Sequence, residues 1–341
     1  MVRQGSMKPP LSALPADVTE RLKRIQQPDW IDPMLATLTD RRFSDDNWIF
    51  ERKLDGERCL AYLSDGGVRL ISRNRKELNV HYPELTDVLS DSKRDTFIID
   101  GEVVAFKGSV TSFSRLQERM HVEDPEEARQ SKVEVYYYMF DVMYLDGYDT
   151  REVPLRQRKS LLKEAFPFQD PLRFMQHRNR EGEDYFEEAC EKGWEGIIAK
   201  DATAPYVGGR SKKWLKFKCV HRQELVIGGF TEPHGSRIGF GALLLGYYDG
   251  ADLIYAGKVG TGFEDETLRL MKERLSSLER DTPPFAEDDL PTKEVHWVRP
   301  ELVAQIGFEE WTEGGKLRQP RFEGLREDKD AADVVREEPA G

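Results

Sequence analysis

The sequence predicts an α+β chain of two domains, a larger one of antiparallel sheets with flanking helices and a small β-barrel behind it. Three observations carry this prediction. The chain has 341 residues, more than one compact core ordinarily holds. Residues 48–73 read as strand, turn, strand, turn, strand, with Asp55-Gly56 and Asp65-Gly66-Gly67 as the turns. After His221 the texture changes to short strands with glycine turns and one helix, and about five such strands suit a small Greek-key barrel of the OB type. The predicted layout is a flexible amino-terminal arm at 1–30, the larger domain at 31–221, the barrel at 222–332 and a flexible acidic tail at 333–341.

Taken in order, residues 1–15 contain proline, serine and glycine and read as an arm, with Gly5-Ser6-Met7 as an expression-vector remnant ahead of a native Met7. Residues 17–26 predict a short helix. Residues 82–89, 112–120, 155–166 and 185–192 predict further helices from their apolar spacing. Residues 96–106 predict a buried strand interrupted by charge, and 133–145 a long aromatic strand closed by Asp146-Gly147. Strands follow at 194–200 and 211–219. In the barrel, 225–230, 242–248, 253–259 and 295–298 predict strands, and 264–278 the helix.

Composition is that of a soluble globular chain, 38% hydrophobic and 33% charged. No run approaches the roughly eighteen apolar residues of a membrane span, and no charged-then-apolar leader is present. A cytoplasmic protein is expected. Cys59, Cys190 and Cys219 are scattered without a CxxC pair, so neither a disulfide framework nor a zinc site is expected. The net charge of −12, taken alone, argues against a polyanionic partner. Base nevertheless collects in 69–76, 210–222 and 316–329, which allows a basic face on an acidic body.

Chemistry concentrates around Glu51-Arg52-Lys53-Leu54-Asp55-Gly56-Glu57-Arg58. Lys53 stands in an apolar run, and burial lowers a lysine pKa and makes its amine a nucleophile. Strand alternation puts Asp100 and Glu102 on one face of their strand, and Trp214, Lys216 and Lys218 on one face of theirs. A buried strand rarely carries two acids or two lysines on one face without partners. One resolution is a common cleft for phosphate, a divalent ion and a flat ring. The alternatives are an edge-strand ion pair, a solvated lysine face, and an aromatic run that is simply core.

Together and in this order the motifs resemble the covalent nucleotidyltransferases, specifically the ATP-dependent DNA ligases. Lys53-Leu54-Asp55-Gly56-Glu57-Arg58 is similar to the KxDGxR nucleophile motif, and Ser72-Arg73-Asn74 to the motif that follows it. Ile99-Asp100-Gly101-Glu102, Tyr138-Met139-Phe140-Asp141, Glu195-Gly196-Ile197-Ile198-Ala199-Lys200 and Trp214-Leu215-Lys216-Phe217-Lys218 match the next four. Arg318-Gln319-Pro320-Arg321, with Arg326, Asp328 and Lys329, resembles the closing motif on the OB domain. The resemblance spans residues 34–330.

The resemblance implies a nucleotidyltransferase (adenylation) domain ahead of the barrel, and an enzyme that seals nicks between a 3′-hydroxyl and a 5′-phosphate. Lys53 would become lysyl-AMP, with Glu51 reading the adenine amino group. Arg58 would reach the ribose or phosphate, and Phe140 would stack on adenine. Arg210 would also contact the nucleotide, and Lys216 and Lys218 its phosphates. Glu102 and Glu195 would reach the ribose or hold Mg²⁺, for which Mn²⁺ would substitute. Arg326, Asp328 and Lys329 would orient the leaving pyrophosphate. Arg73, Asn74, Arg318 and Arg321 would touch nucleic acid.

The implied partners are nicked duplex DNA, ATP, and repair or replication proteins. No membrane is involved, and the chain is expected to be a monomer. Lacking a match to the long DNA-binding domain of larger ligases, the chain would be a minimal bacterial or phage-type ligase, or the ligase part of a bacterial end-joining enzyme. An RNA ligase or mRNA-capping guanylyltransferase of the same superfamily is the alternative. A non-catalytic OB-type nucleic-acid-binding protein is the third reading, against which Lys53, Glu102, Glu195 and Lys216 speak.

Overall fold

The computed structural model describes residues 9–235, 237–287 and 289–339. The Gly5-Ser6-Met7 reading lies outside them. One compact unit runs to Cys219 and a second spans Val220–Glu338.

Among the described residues, the first unit is built on two sheets. In the larger, strand order is Lys23–Arg24, Tyr148–Asp149, Tyr136–Leu145, Phe97–Val104, Glu57–Ser64, Gly67–Ser72, all antiparallel neighbours. The smaller runs His177–Asn179, Trp48–Lys53, Gly196–Asp201, Gly209–Lys218, Met34–Leu38, and only its last pair is parallel. Period-two alternation decides what each face does. Cys59, Ala61, Phe97, Ile99 and Val103 join a core with helices Pro83–Ser90 and Leu155–Ala165. Leu60, Tyr62, Ile98 and Val104 face the opposite way and pack with Phe140 and with Trp214 of the smaller sheet. The far face of the smaller sheet buries Phe50, Ile197, Ala199 and Phe217 against Tyr185 and Ala189 of helix Gly182–Glu191.

The second unit is an antiparallel barrel of the OB type. Strand His221–Thr231 is shared: its first half pairs with Val303–Phe308 and its end with Val295–Val298. Strand Leu243–Asp249 pairs on its other edge, followed outward by Asp252–Val259. Helix Asp265–Ser276 buries Leu268, Met271 and Leu275 in the barrel core.

Several expectations are corrected. The arm is not free over residues 9–30. Leu11 and Val18 are buried, and Lys23–Arg24 pairs with Tyr148–Asp149, leaving only Ala16–Thr19 as α-helix in 17–26. Residues 333–338 are not a loose tail, since Val334 is buried and its carbonyl accepts from Tyr248 N–H at 2.7 Å. Strands Met34–Leu38, Val303–Phe308 and Arg321–Leu325 were not expected. Cys190 and Cys219 form a disulfide with Cα atoms 5.2 Å apart. The pairing escapes a spacing rule because helix Gly182–Glu191 folds back over the sheet to reach the end of strand Gly209–Lys218.

Gly196 has a positional role. Its φ is +147°, and a Cβ there would lie 1.9 Å from the carbonyl oxygen of Phe217, so only glycine lets the two strands close. Gly196→Ala is expected to lower stability by roughly 2–4 kcal/mol. A chemical denaturation midpoint shifted by less than the scatter between replicates would show that the strands can part without cost.

Candidate active site

The site is built where the inner faces of the two sheets of the first unit meet. Cross-strand partners in an antiparallel ladder share a face. Lys53 pairs with Gly196, and Gly196 with Lys218. One row along, Glu51 pairs with Ile198, and Ile198 with Lys216. A third row holds Ile49, Lys200 and Trp214. Residues two apart also share a face, so Lys53, Glu51, Lys200, Trp214, Lys216 and Lys218 all project from one side of the sheet.

Three ion-pair systems organise this face. In the first, Lys53 Nζ lies 2.5 Å from Glu195 Oε2, with the two side chains 20% and 8% exposed. Burial opposes the charge on Lys53, but Glu195, then Glu102 and Asp55, outweigh it and hold the amine above its ordinary pKa. This overturns the expected depression, because carboxylate charge, Glu195 first, outweighs burial.

In the second, Glu51 is 2% exposed and each of its oxygens takes one lysine. Lys159 Nζ is 2.5 Å from Oε1, and Lys200 Nζ is 2.6 Å from Oε2. Burial alone would raise the carboxyl pKa. The two lysines outweigh it and hold the group below the usual carboxylate range. Lys200 is itself pushed down by burial, which Glu51 only partly offsets. Its ammonium lies 4.2 Å from the Phe140 ring centre and 4.0 Å from that of Trp214.

In the third, Arg58 grips Asp100 through two bonds, Nε to Oδ1 at 2.5 Å and Nη2 to Oδ2 at 2.6 Å. Tyr206 adds a hydroxyl donor to Oδ2 at 2.6 Å. Burial opposes the Arg58 charge, and Asp100 outweighs it, so the guanidinium stays charged. Its Cζ stands 4.6 Å over the Phe140 ring. Phe140 is thus buried with both cations close to its ring and edge-on to Trp214.

The structure therefore gathers Glu51, Lys53, Arg58, Glu195 and Phe140 through these pairs. Glu102 also belongs here, since its charge bears on both Lys53 and Arg58. Lys216 and Lys218 are half-buried on the same sheet face. Arg210 is exposed at the start of their strand and donates to Ala36 O at 2.9 Å. Arg73 and Asn74 are half-buried in the loop after strand Gly67–Ser72.

In the second unit, Arg318 and Arg321 are exposed beside acids, Glu310 at 2.7 Å and Glu323 at 3.2 Å. Arg326 and Asp328 are buried in a two-bond pair at 2.8 and 2.7 Å. Burial raises the Asp328 carboxyl pKa, and Arg326 outweighs it and holds it low. Lys329 approaches Glu224 at 3.3 Å.

Lys159, Tyr206 and His177 went unread in the sequence. Lys159 occupies the stripe position between Leu155 and Leu162 on helix Leu155–Ala165, and a cation in an apolar stripe was the available signal. His177 is opposite Glu51 in the ladder. Burial, then Lys159, pushes its pKa down to about 4, so it is neutral.

Comparison with known proteins follows this geometry. The family profile described as ATP dependent DNA ligase domain matches residues 33–218. The chain belongs to the ATP-dependent DNA ligase family. A second profile, ATP dependent DNA ligase C terminal region, matches 236–329 of this ligase. It is 38% identical to the multifunctional non-homologous end joining protein LigD of Pseudomonas aeruginosa, over 99% of this chain and 40% of that protein. Against the LigD of Mycobacterium tuberculosis the figures are 37%, 91% and 40%. The ligase thus spans about two fifths of the length of these relatives. A solved mycobacterial DNA ligase D complexed with ATP and MES is 34% identical with a TM-score of 0.63, covering 90% of this chain and 98% of that one.

The Lys53 amine offers a direct test. A raised folded pKa means that the Glu195 pairing stabilises the fold below the free-lysine value of about 10.4 and is lost as pH rises through the folded value. In nucleotide-free protein labelled with ¹³C at lysine Cε, the Lys53 signal should titrate above about 10.4. In Glu195→Gln the midpoint should fall. A midpoint unchanged by that substitution would remove Glu195 as the cause.

Proposed function

We propose that the chain is the nick-sealing unit of a bacterial end-joining enzyme. In this reading it charges Lys53 with AMP, passes the AMP to the 5′-phosphate of a nick in duplex DNA, and lets the 3′-hydroxyl displace it. The observation that carries the reading is Lys53 in contact with Glu195, on one sheet face with Lys216 and Lys218. The end-joining assignment follows the names of the relatives. The ligase would work in the cytoplasm on nicked duplex DNA.

Lys53 must lose a proton before its nitrogen can attack the α-phosphorus, and Glu195 Oε2 is the acceptor within reach. The new N–P bond forms as the α–β phosphoanhydride breaks and pyrophosphate leaves. Lys216 and Lys218 neutralise charge on the equatorial oxygens, which is most of what a protein can contribute to in-line phosphoryl transfer. Glu51 faces the adenine amino group, Phe140 lies beside the base, and Arg58 meets ribose or phosphate.

The donor set around Lys53 fits Mg²⁺. Glu195 and Glu102 are both carboxylates whose charge reaches the amine, and Mg²⁺ prefers one or two carboxylates completed by water and substrate phosphate. When bound, the ion would offset phosphate charge.

Incubation with α-labelled ATP should leave AMP on the protein through an acid-labile bond. Lys53→Ala should abolish it. Lys53→Arg should fail as well, because a guanidinium stays protonated. Label retained on either variant would place the nucleophile elsewhere.

The closing motif is assigned to the first step, and its residues divide by burial. Asp328→Ala should lower stability by about 1–3 kcal/mol, since Arg326 loses its two-bond partner and keeps only the longer contacts to Gln305 at 3.2 Å and Glu224 at 3.7 Å among those described. Lys329, on a 19% exposed side chain, tests the function. Lys329→Ala should keep the unfolding temperature, lose at least tenfold in lysyl-AMP formation, and still seal a nick supplied already adenylated. Equal loss of both activities would end the step-specific assignment.

A further inference from the structure

Lys159 lies outside every motif described above, yet it is among the most buried cations of the chain. Its ammonium sits 2.5 Å from Glu51 Oε1, 3.0 Å from the Met175 carbonyl oxygen and 3.5 Å from that of Phe140. A lysine has three N–H donors and no acceptor. All three are therefore spent on the protein, and Lys159 has nothing left to offer a ligand.

Charge balance makes the residue harder to dismiss as packing. Lys200 alone neutralises Glu51 at 2.6 Å. The second lysine leaves these three side chains with a net charge of plus one in a place closed to water, and burying an unneeded ammonium is costly. Geometry supplies the reason. With one oxygen held from helix Leu155–Ala165 and the other from strand Gly196–Asp201, the carboxylate plane cannot turn. Each oxygen, with about two lone pairs, keeps acceptor capacity after its lysine is bound.

We propose that Lys159 is a positioning residue that fixes Glu51 as a hydrogen-bond acceptor and thereby sets the preference for a purine bearing a 6-amino group. The inference rests on the reading of Glu51 as the adenine contact. Adenine presents an N–H donor at that position and guanine an acceptor oxygen. A carboxylate locked in one plane accepts from the first and opposes the second. A carboxylate free to turn does so less well, because discrimination by a buried polar group depends on leaving it unpaired with the wrong partner.

The test is single-turnover formation of protein-bound nucleotide with three triphosphates: ATP, purine riboside triphosphate, which lacks the amino group, and GTP. Glu51→Gln and Lys159→Met are compared with the parent chain. Lys159→Met leaves a neutral Glu51–Lys200 pair, and its unfolding temperature is recorded alongside. Lys159→Gln replaces it if it does not fold.

The ATP preference over purine riboside triphosphate should fall about tenfold in both Glu51→Gln and Lys159→Met, as expected for a hydrogen bond to a charged group. The loss should lie mainly in apparent affinity, with the rate at saturating ATP less affected. A lysine that merely fills space would leave the nucleotide ratio unchanged. If Glu51→Gln loses the preference and Lys159→Met keeps it, Lys159 has no positioning role and the Glu51 reading stands. If Glu51→Gln keeps the preference, the Glu51 reading fails and this inference with it.

Discussion

A carboxylate closed off from water must take its counter-charge from the chain, and Glu51 does so twice. That requirement ties three elements together. Lys159 comes from a helix that otherwise belongs to the core of the larger sheet, Lys200 from the strand beside the Glu51 strand, and Phe140 from the larger sheet. Isolated buried ions are expensive, and buried pairs repay desolvation only with good geometry and further hydrogen bonds. The neighbouring pairs meet that condition in the same way. Asp100 has three donors. Asp141 is held by two bonds from Arg158, which is fully buried and also donates to Val153 and Ala204 carbonyls. Where the two sheets meet, these ion pairs are thus set into an apolar lining that includes Leu60, Ile98, Phe140 and Trp214.

The same layer separates two kinds of residue. Arg58 binds Asp100 through two bonds and Met34 O through a third, and Tyr206 adds a donor to Asp100, so the pair acts as framework as well as lining. Lys53 has its amine in a close ion pair with Glu195, an arrangement that a proton transfer can dissolve. A nucleophile kept charged until substrate arrives does not react with stray electrophiles, and the amine gains nucleophilic character only when the local field changes.

Much of this was legible from residue order. Asp100 with Glu102, and Trp214 with Lys216 and Lys218, could be placed on shared strand faces because alternation is a local rule, while Glu51, Lys53 and Glu195 were placed by motif resemblance. The sheet partners that realise the cleft were not legible, since Gly196 opposite both Lys53 and Lys218 is a matter of long-range register. Lys159 was hidden by its helix, where Arg158 and Lys159 look like one solvated patch until tertiary packing buries both. The sign of the Lys53 shift was misjudged for a related reason: sequence reveals which charges are available, and only distance reveals which are nearest. The late strands Val303–Phe308 and Arg321–Leu325 carry glycine and polar residues, which blur the period-two signal that marks a strand.

The ladder rows have an evolutionary corollary. Spacing between functional groups along Lys53, Gly196 and Lys218 is set by the distance between neighbouring strands, about 4.8 Å each, and not by the loops that join them. Insertions in those loops leave the rows untouched. One residue gained or lost inside strand Gly196–Asp201 would turn Lys200 toward the apolar face that holds Phe50 and Phe217, and bring Ala199 into the cleft. Homologous chains should therefore vary freely in loop length while keeping strict residue counts within these three strands.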